Sequence, residues 1–339
     1  MTEIVQNLAP KILEEIQKAK NILLHCHVKP DADSVGGALA TMHVLKAMGK
    51  QVAVIKGDSD LPAEFSCLPG FDQILLKNIS EIDLSQFDLF IIQDSGALDR
   101  VSRITNFTFP ANLKTVTIDH HATNPNYSEI NLVDATYPAN CQLLHDLFTL
   151  WHVEVTKEIA TCLFVGIFTD TGGFKYRGVT KDTFSVAEKL VELVSNFSDV
   201  ISTIENSNDP KQIEFEALAL SSVKTYFGGK VAMTGVAFSV LQEKGIENEF
   251  TSSHNVVQRM LSVVSWDVVI SMTEEMVGGV KISFRSKDSD KYDVSKIAAT
   301  LGGGGHKSAS GLYLKTSLAE AQQKVLEVIS ATYPALGTV

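Results

Sequence analysis

Cysteine is scarce: the 339 residues hold four, Cys26, Cys67, Cys141 and Cys162, and no two of them form a Cys-x-x-Cys pair. That spacing suggests neither a zinc knuckle nor a disulfide framework, so buried free thiols are expected. No run of about 18 apolar residues occurs, which removes a membrane span. The opening MTEIVQNLAP also lacks the basic start and long apolar centre of a secretory signal. The expectation is a cytoplasmic protein without membrane association. Positive charge is in deficit too, with 29 Lys and Arg against 40 Asp and Glu, a net charge of −11. Such a surface repels a long polyphosphate and speaks against binding of long duplex nucleic acid, while a small anion stays admissible wherever cations are bound locally.

Apolar material, by contrast, is ample at 45% of residues, and the length exceeds what one ordinary core accommodates, so two domains are expected. From residue 10 to about 195, short β-rich runs (NILLHCHV, QVAVIK, DLFIIQD, KTVTIDH) alternate with helical ones. That alternation predicts crossover units and a largely parallel sheet covered on both faces. Around 195–210 apolar density falls ahead of Pro210, and KQIEFEALALSSVKTYF reads as a connecting helix. Beyond it, KVAMTGVAFSV, WDVVISMTEEM and GGVKISFRS read as strands, and NVVQRMLSVV, DVSKIAATL and SLAEAQQKVLEVIS as helices. The predicted class is α/β: a mostly parallel-sheet domain over 1–195, a linker and connecting helix over 196–228, and a smaller α/β domain over 229–339.

Four stretches of the first domain share one feature, an apolar strand or helix that delivers aspartate or histidine at its end. They are LLHCHVKPDAD with His27, Asp31 and Asp33, LFIIQDSG with Asp94, VTIDHHA with Asp119, His120 and His121, and FVGIFTDTGGF with Asp170. Each has an ordinary explanation when taken singly. An aspartate after a strand is commonly a turn or cap, and Asp33 fits the cap of a helix beginning near Ser34. Adjacent histidines are usually a surface pair, and Asp94-Ser95-Gly96 is a common turn sequence. Jointly they differ, because in a parallel sheet ligands collect at the carboxyl ends of strands. Several carboxylates gathered there without cations would incur severe desolvation and repulsion. A metal site follows, and oxygen with imidazole donors suits Mn²⁺ better than a thiolate-seeking ion.

In order, His27-x-x-Pro30-Asp31-x-Asp33, Asp94-Ser95-Gly96, Asp119-His120-His121 and Thr169-Asp170-Thr171-Gly172 resemble the four motifs of the DHH phosphoesterases. FRSK (284–287), DVSKIA (293–298) and GGGGHKSASG (302–311) resemble the associated DHHA1 substrate-binding domain. Within the family the pairing is most similar to the bacterial nanoRNase/pAp phosphatase type. The resemblance implies an N-terminal DHH domain and a C-terminal DHHA1 domain with a cleft between them, and hydrolysis of very short RNA oligomers to mononucleotides. It also implies removal of the 3′-phosphate of 3′-phosphoadenosine 5′-phosphate (pAp), by two-metal activation of water. The metals would be two Mn²⁺ ions, with Mg²⁺ or Co²⁺ as substitutes. One would be held by His27, Asp31 and Asp94, the other by Asp33, Asp94, His120 and Asp170, with Asp94 bridging. Lys29 stands where asparagine is frequent in the family and Ala32 where glycine is, and neither removes a ligand.

Asp94, His120 and His121 are the expected catalytic residues. His121 has two readings: contact with the scissile phosphate or proton delivery to the departing sugar oxygen, and orientation of His120 from behind. Asp119 is expected to stabilise the loop or an imidazole N–H. The run Gly302–Gly305 before His306 is sterically open, either as a flexible loop or as backbone N–H groups that approach a phosphate. Gly303, Gly304, Gly305 and His306, with the fork of Arg285, are the expected substrate contacts. Competing readings are hydrolysis of linear or cyclic dinucleotides and, from another class, a nucleotide-binding regulator without turnover. Family analogy permits a homodimer.

Overall fold

The structure is a computed structural model that describes residues 1–337 apart from 105, 106, 177 and 195. The expected end of the first domain, residue 195, thus lies outside the described residues. The chain forms two compact units, Met1–Ser207 and Asn208–Val339.

The first unit runs α1 (Glu3–Lys18), β1 (Asn21–His25), α2 (Ala32–Ala47), β2 (Gln51–Ile55), β3 (Ile74–Leu75), β4 (Leu89–Gln93), α3 (Leu98–Val101), β5 (Lys114–Asp119), β6 (Ile130–Val133), α4 (Asn140–Leu150), α5 (Lys157–Asp170), α6 (Lys181–Leu193) and α7 (Phe197–Glu205). Its strands pair in the order β3-β2-β1-β4-β5-β6, each pair parallel. Strands β1, β4 and β5 are buried on both faces, as a parallel sheet clad by helices requires, and β1 and β4 are largely apolar. Strand order reverses between β1 and β4. That reversal opens a crevice at the carboxyl ends of these two strands, from which His27 and Asp94 follow.

Helix α2 lacks a polar face over most of its length and is correspondingly buried almost throughout. It packs closely on α5, since a Cβ at Gly36 would lie 2.5 Å from the Cys162 carbonyl oxygen. On α5, Cys162, Gly166 and Asp170 recur every four residues and so share one stripe. A Cβ at Gly166 would collide with Cys141 Sγ and sit 2.8 Å from Asp33 Oδ1. Two glycines therefore let α2, α4 and α5 approach closely enough to bring Asp33 and Asp170 together. Of the cysteines, Cys26, Cys141 and Cys162 are buried free thiols as expected, whereas Cys67 is exposed.

The second unit comprises α8 (Pro210–Ser221), β7 (Lys224–Tyr226), β8 (Val231–Val236), α9 (Phe238–Lys244), α10 (His254–Leu261), β9 (Val268–Met276), β10 (Gly279–Ser286), α11 (Val294–Thr300), β11 (Gly304–Gly305), β12 (Ala309–Leu314) and α12 (Leu318–Thr332). Its sheet has the order β11-β12-β10-β9-β8-β7, antiparallel except between β8 and β9. The segment 196–228 is divided between the units: α7 packs on the first core through Val200, Ile201 and Ile204, and Phe215 of α8 lies in a core of the second. Two readings are corrected here. The helical reading of KQIEFEALALSSVKTYF stops at Ser221 and gives way to β7, and KVAMTGVAFSV is a strand only as far as Val236, its FSV opening α9.

Candidate metal centre

Each functional side chain of the first unit is set by its local backbone. After β1, the His27 amide donates to Ser34 Oγ at 3.0 Å, and the Val28 amide to the Arg100 carbonyl at 2.7 Å. His27 is fully buried, with Nδ1 3.1 Å from the Val28 carbonyl oxygen. A carbonyl only accepts, so Nδ1 carries the proton and Nε2 is left for the carboxylates. Nε2 lies 3.3 Å from both Asp31 Oδ2 and Asp94 Oδ2.

Asp31 has two tasks. Its Oδ1 accepts the Ser34 amide at 3.0 Å and caps α2, while Oδ2 faces His27. The cap predicted at Asp33 therefore belongs to Asp31. Asp33 instead caps a different helix: its Oδ2 accepts the Asn140 amide at 2.6 Å and its Oδ1 the Cys141 amide at 2.8 Å, both from the first turn of α4. Ala32 is the first residue of α2, a position with no need of glycine, and Lys29 sits at φ 54, a conformation that asparagine tolerates more readily than lysine.

Asp94 stands at φ 51, a conformation L residues rarely adopt, with its amide bonded to the Ile118 carbonyl at 3.1 Å. The following Ser95 carbonyl accepts from Asn124 Nδ2 and Tyr127 Oη, which pins the turn. His120, just past β5, has Nδ1 3.2 Å from the Tyr137 carbonyl oxygen, so its Nε2 is likewise freed. That atom lies 3.4 Å from Asp94 Oδ1, 3.6 Å from Asp170 Oδ2 and 3.9 Å from Asp33 Oδ2.

His121 turns elsewhere. Its Nδ1 donates to Oδ1 of fully buried Asp119 at 2.8 Å, and Asp119 also accepts the His120 amide and Asn124 Nδ2. The expected part of Asp119, holding the loop and an imidazole N–H, matches this arrangement. His25 stays outside the cluster, buried edge-on against Phe90 with Nε2 3.3 Å from Ser95 Oγ.

Crowding of like charge shows in the proton affinities. Burial raises Asp33 to about 6 with help from Asp94, and burial with the Asp33 charge raises Asp170 to about 8. Burial opposes the charged forms of His27 and His120, yet the carboxylates around them outweigh it and push both up to about 10. Asp94 is held well below the usual carboxylate range: burial favours its neutral form, but the imidazoles of His120 and His27 prevail.

Among the described residues, three groups have ligand atoms within 4.8 Å of one another: His27, Asp31 and Asp94; Asp33, His120 and Asp170; and Asp94, His120 and His121. All six residues expected as ligands thus fall in the first two groups, and the third joins those two through Asp94 and His120. The donors fit divalent cations. Among the described residues, buried Asp94 Oδ1 has no hydrogen-bond partner, although the nitrogens of His120 and His121 come within 3.4 and 3.7 Å of it. In their neutral forms His27 and His120 keep their proton on the nitrogen tied to a backbone carbonyl, the tautomer a metal ligand requires. The nearby Cys141 thiol is raised well above its ordinary value, first by burial and then by Asp33, and contributes no thiolate.

In the second unit, Arg285 on β10 is in register with Ala309 of β12, and its guanidinium donates to the Phe284 carbonyl at 2.9 Å. The glycine run is not a flexible loop. Gly304 and Gly305 form β11 against Gly311 and Ser310, and a tight turn with bonds between His306 and Ala309 leads into β12. Gly305 needs its lack of side chain, since it holds φ 136 and a Cβ there would lie 2.6 Å from the Ala309 carbonyl oxygen. Gly303 is equally crowded, with a Cβ meeting the Gly311 carbonyl oxygen at 2.5 Å. Arg285, Gly304 and Gly305 therefore share one end of the sheet, with His306 at its turn.

Residues that carried no sequence signal include Arg100, whose guanidinium touches the His27 ring, Asn124, which fixes both Ser95 and Asp119, and Gly166, which makes room for Asp33. Asn124 lies three residues beyond the His pair in HHATN, a spacing that suits a turn and points to no role by itself.

Comparison with known proteins agrees with this arrangement. The profile of the DHH family, N-terminal domain, matches residues 21–167, and that of the DHHA1 domain matches residues 228–333. The chain is similar to the bifunctional oligoribonuclease and PAP phosphatase NrnA of Thermus thermophilus, 30% identical over 323 residues, covering 94% of this chain and 93% of that protein. A probable protein of the same description from Streptococcus mutans is 24% identical over 88% of this chain and 91% of its own length. In fold the chain is similar to the crystal structure of an exopolyphosphatase-related protein from Bacteroides fragilis, with a TM-score of 0.89 and 23% identity over 99% of both chains. With the two domain profiles matched in order and a relative similar along nearly its whole length, this chain belongs to the DHH family and carries a DHHA1 domain.

Proposed function

We propose that this chain is a divalent-cation-dependent phosphoesterase that hydrolyses short oligoribonucleotides to mononucleotides and removes the 3′-phosphate of pAp. The observation that carries the reading is the division of Asp94, with Oδ2 facing His27 Nε2 and Oδ1 facing His120 Nε2. His27, Asp31 and Asp94 would hold one cation, and Asp33, Asp94, His120 and Asp170 a second, with Mn²⁺ suited to this donor set. When bound, such ions supply Lewis acidity and the positive charge that phosphoryl chemistry demands.

The chain's own residues do the rest. The Val28 and Tyr137 carbonyls hold the imidazoles in one tautomer, so the ligand nitrogens do not have to reorganise. Asp119 fixes the orientation of His121 through Nδ1, and we assign to His121 Nε2 the proton for the departing sugar oxygen. In the second unit, Arg285 and the amides around Gly303, Gly304, Gly305 and His306 are assigned to nucleotide recognition. The names of the similar proteins support this substrate class.

The test offers the Mn²⁺-loaded protein an RNA dinucleotide, pAp, a cyclic dinucleotide and pyrophosphate separately. Turnover of the first two, lost in Asp94→Ala, supports the reading, and turnover of the cyclic compound alone overturns it.

A further inference from the structure

Arg100 lies outside every motif, yet it reaches into the centre. Its backbone is tied to the β1 exit through the Val28 amide, and its Nη2 lies 3.0 Å from His27 Nε2 and 3.2 Å from His27 Nδ1. Those nitrogens flank one ring carbon, so an atom nearly equidistant from both has no room in the ring plane. The guanidinium nitrogen therefore lies over the face of the imidazole and leaves the line from Nε2 to Asp31 and Asp94 open. Among the described residues, no carboxylate comes within 4.0 Å of the guanidinium, although Asp31 and Asp94 each stand 3.3 Å from the nitrogen it touches. An arginine present only to balance acidic charge would pair with one of them. This one stacks on a ligand and keeps most of its five donors for something else.

We propose that Arg100 is a phosphate-binding residue of the centre, its fork taking oxygens of the phosphate that is cleaved. The inference rests on the phosphoesterase reading above and deepens it. A tetrahedral oxyanion drawn to the cation that His27, Asp31 and Asp94 would hold would arrive beside the Arg100 fork, which would share the charge that builds up on the phosphate oxygens during transfer. The position next to a ligand and the absence of a carboxylate partner both follow from that role.

The experiment compares wild type with Arg100→Gln and Arg100→Lys. Mn²⁺ binding is followed by calorimetry, inorganic phosphate binding is measured on the Mn²⁺-saturated proteins, and kcat and KM are measured on pAp. In Arg100→Gln, Mn²⁺ affinity stays within about threefold of wild type, phosphate affinity falls at least about tenfold, and kcat/KM falls about 10²–10³-fold. Arg100→Lys recovers part of the phosphate affinity. If Arg100→Gln loses Mn²⁺ but binds phosphate normally once Mn²⁺ is saturating, Arg100 merely seats His27 and the proposal is overturned. The same holds if wild type with Mn²⁺ binds no phosphate. Phosphate binding that depends on Arg100 in a protein that cleaves neither pAp nor an RNA dinucleotide would uphold this inference while removing the substrate reading on which it was built.

Discussion

Nδ1 of His121 lies 2.8 Å from Oδ1 of Asp119, a carboxylate wholly withdrawn from solvent and held from its other side by Asn124 at 2.7 Å. A buried acceptor on one ring nitrogen fixes the ring's orientation and leaves the other nitrogen for chemistry. Asp119→Asn keeps the shape and removes the charge. The expected result is a fall in kcat of about 10²-fold or more, with KM and Mn²⁺ stoichiometry little changed. Steady-state kinetics alongside a metal titration checks it, and loss of metal would return Asp119 and His121 to a structural part.

Gly166 lies where a single added methyl group is felt by both Asp33 and Cys141. Gly166→Ala places a Cβ 2.8 Å from Asp33 Oδ1 and against Cys141, so Asp33 must leave the amides of Asn140 and Cys141. Destabilisation of about 1–3 kcal/mol is expected, as for other overpacked cores. Weaker binding of the cation assigned to Asp33 should accompany it. Urea denaturation of the metal-free protein and Mn²⁺ calorimetry measure the two effects separately.

The metal-free centre stores protons. His27, His120, Asp33 and Asp170 all have folded values above their ordinary ones, to about 10, 10, 6 and 8 respectively. A raised value contributes stability that is complete below the unfolded value and is lost as pH climbs through the folded one. For the carboxylates that loss spans about pH 4 to 8, and for the histidines it begins above about 6.5. Cations compete with those protons. The rise in Tm on adding Mn²⁺ is therefore expected to be larger at pH 8 than at pH 6, and calorimetry in buffers of different ionisation enthalpy should record proton release. An equal rise at both values would contradict the crowded-carboxylate description.

Gly305 offers a test in the second unit. At φ 136, with a Cβ position 2.6 Å from the Ala309 carbonyl oxygen, Gly305→Ala strains β11 and the His306 turn. KM for pAp should rise several-fold while Mn²⁺ binding to the first unit is unchanged. An unaltered KM would remove the glycine strand from substrate recognition.

Much of this centre was legible before any coordinates because the chemistry sits at the ends of apolar runs. The runs before His27, Asp94 and His120 announce strands by composition, and parallel pairing brings their carboxyl ends to one edge. Asp170 was legible for a related reason, as the last residue of a helix buried along most of its length. What was not legible depends on partners distant in sequence. Both aspartates of DAD could cap a helix, and only the approach of α4 decides that Asp33 serves Asn140 and Cys141 while Asp31 serves Ser34. The glycine run reads as a loop until β12 pairs with it. Phe238 continues an apolar run by composition, but its amide donates to Glu274 of β9 and the chain turns there into a helix. Arg100 had no local signal, because a lone arginine in a four-residue helix is unremarkable until the His27 ring is found beneath it.

The most direct measurement counts manganese in the purified chain by calorimetry and reads the coupling between the ions by electron paramagnetic resonance. Two Mn²⁺ per chain with a spin-coupled signal, reduced to uncoupled or absent metal in Asp94→Ala, is the expected result. A single site, or a coupled pair that survives loss of Asp94, would contradict a centre bridged by that carboxylate.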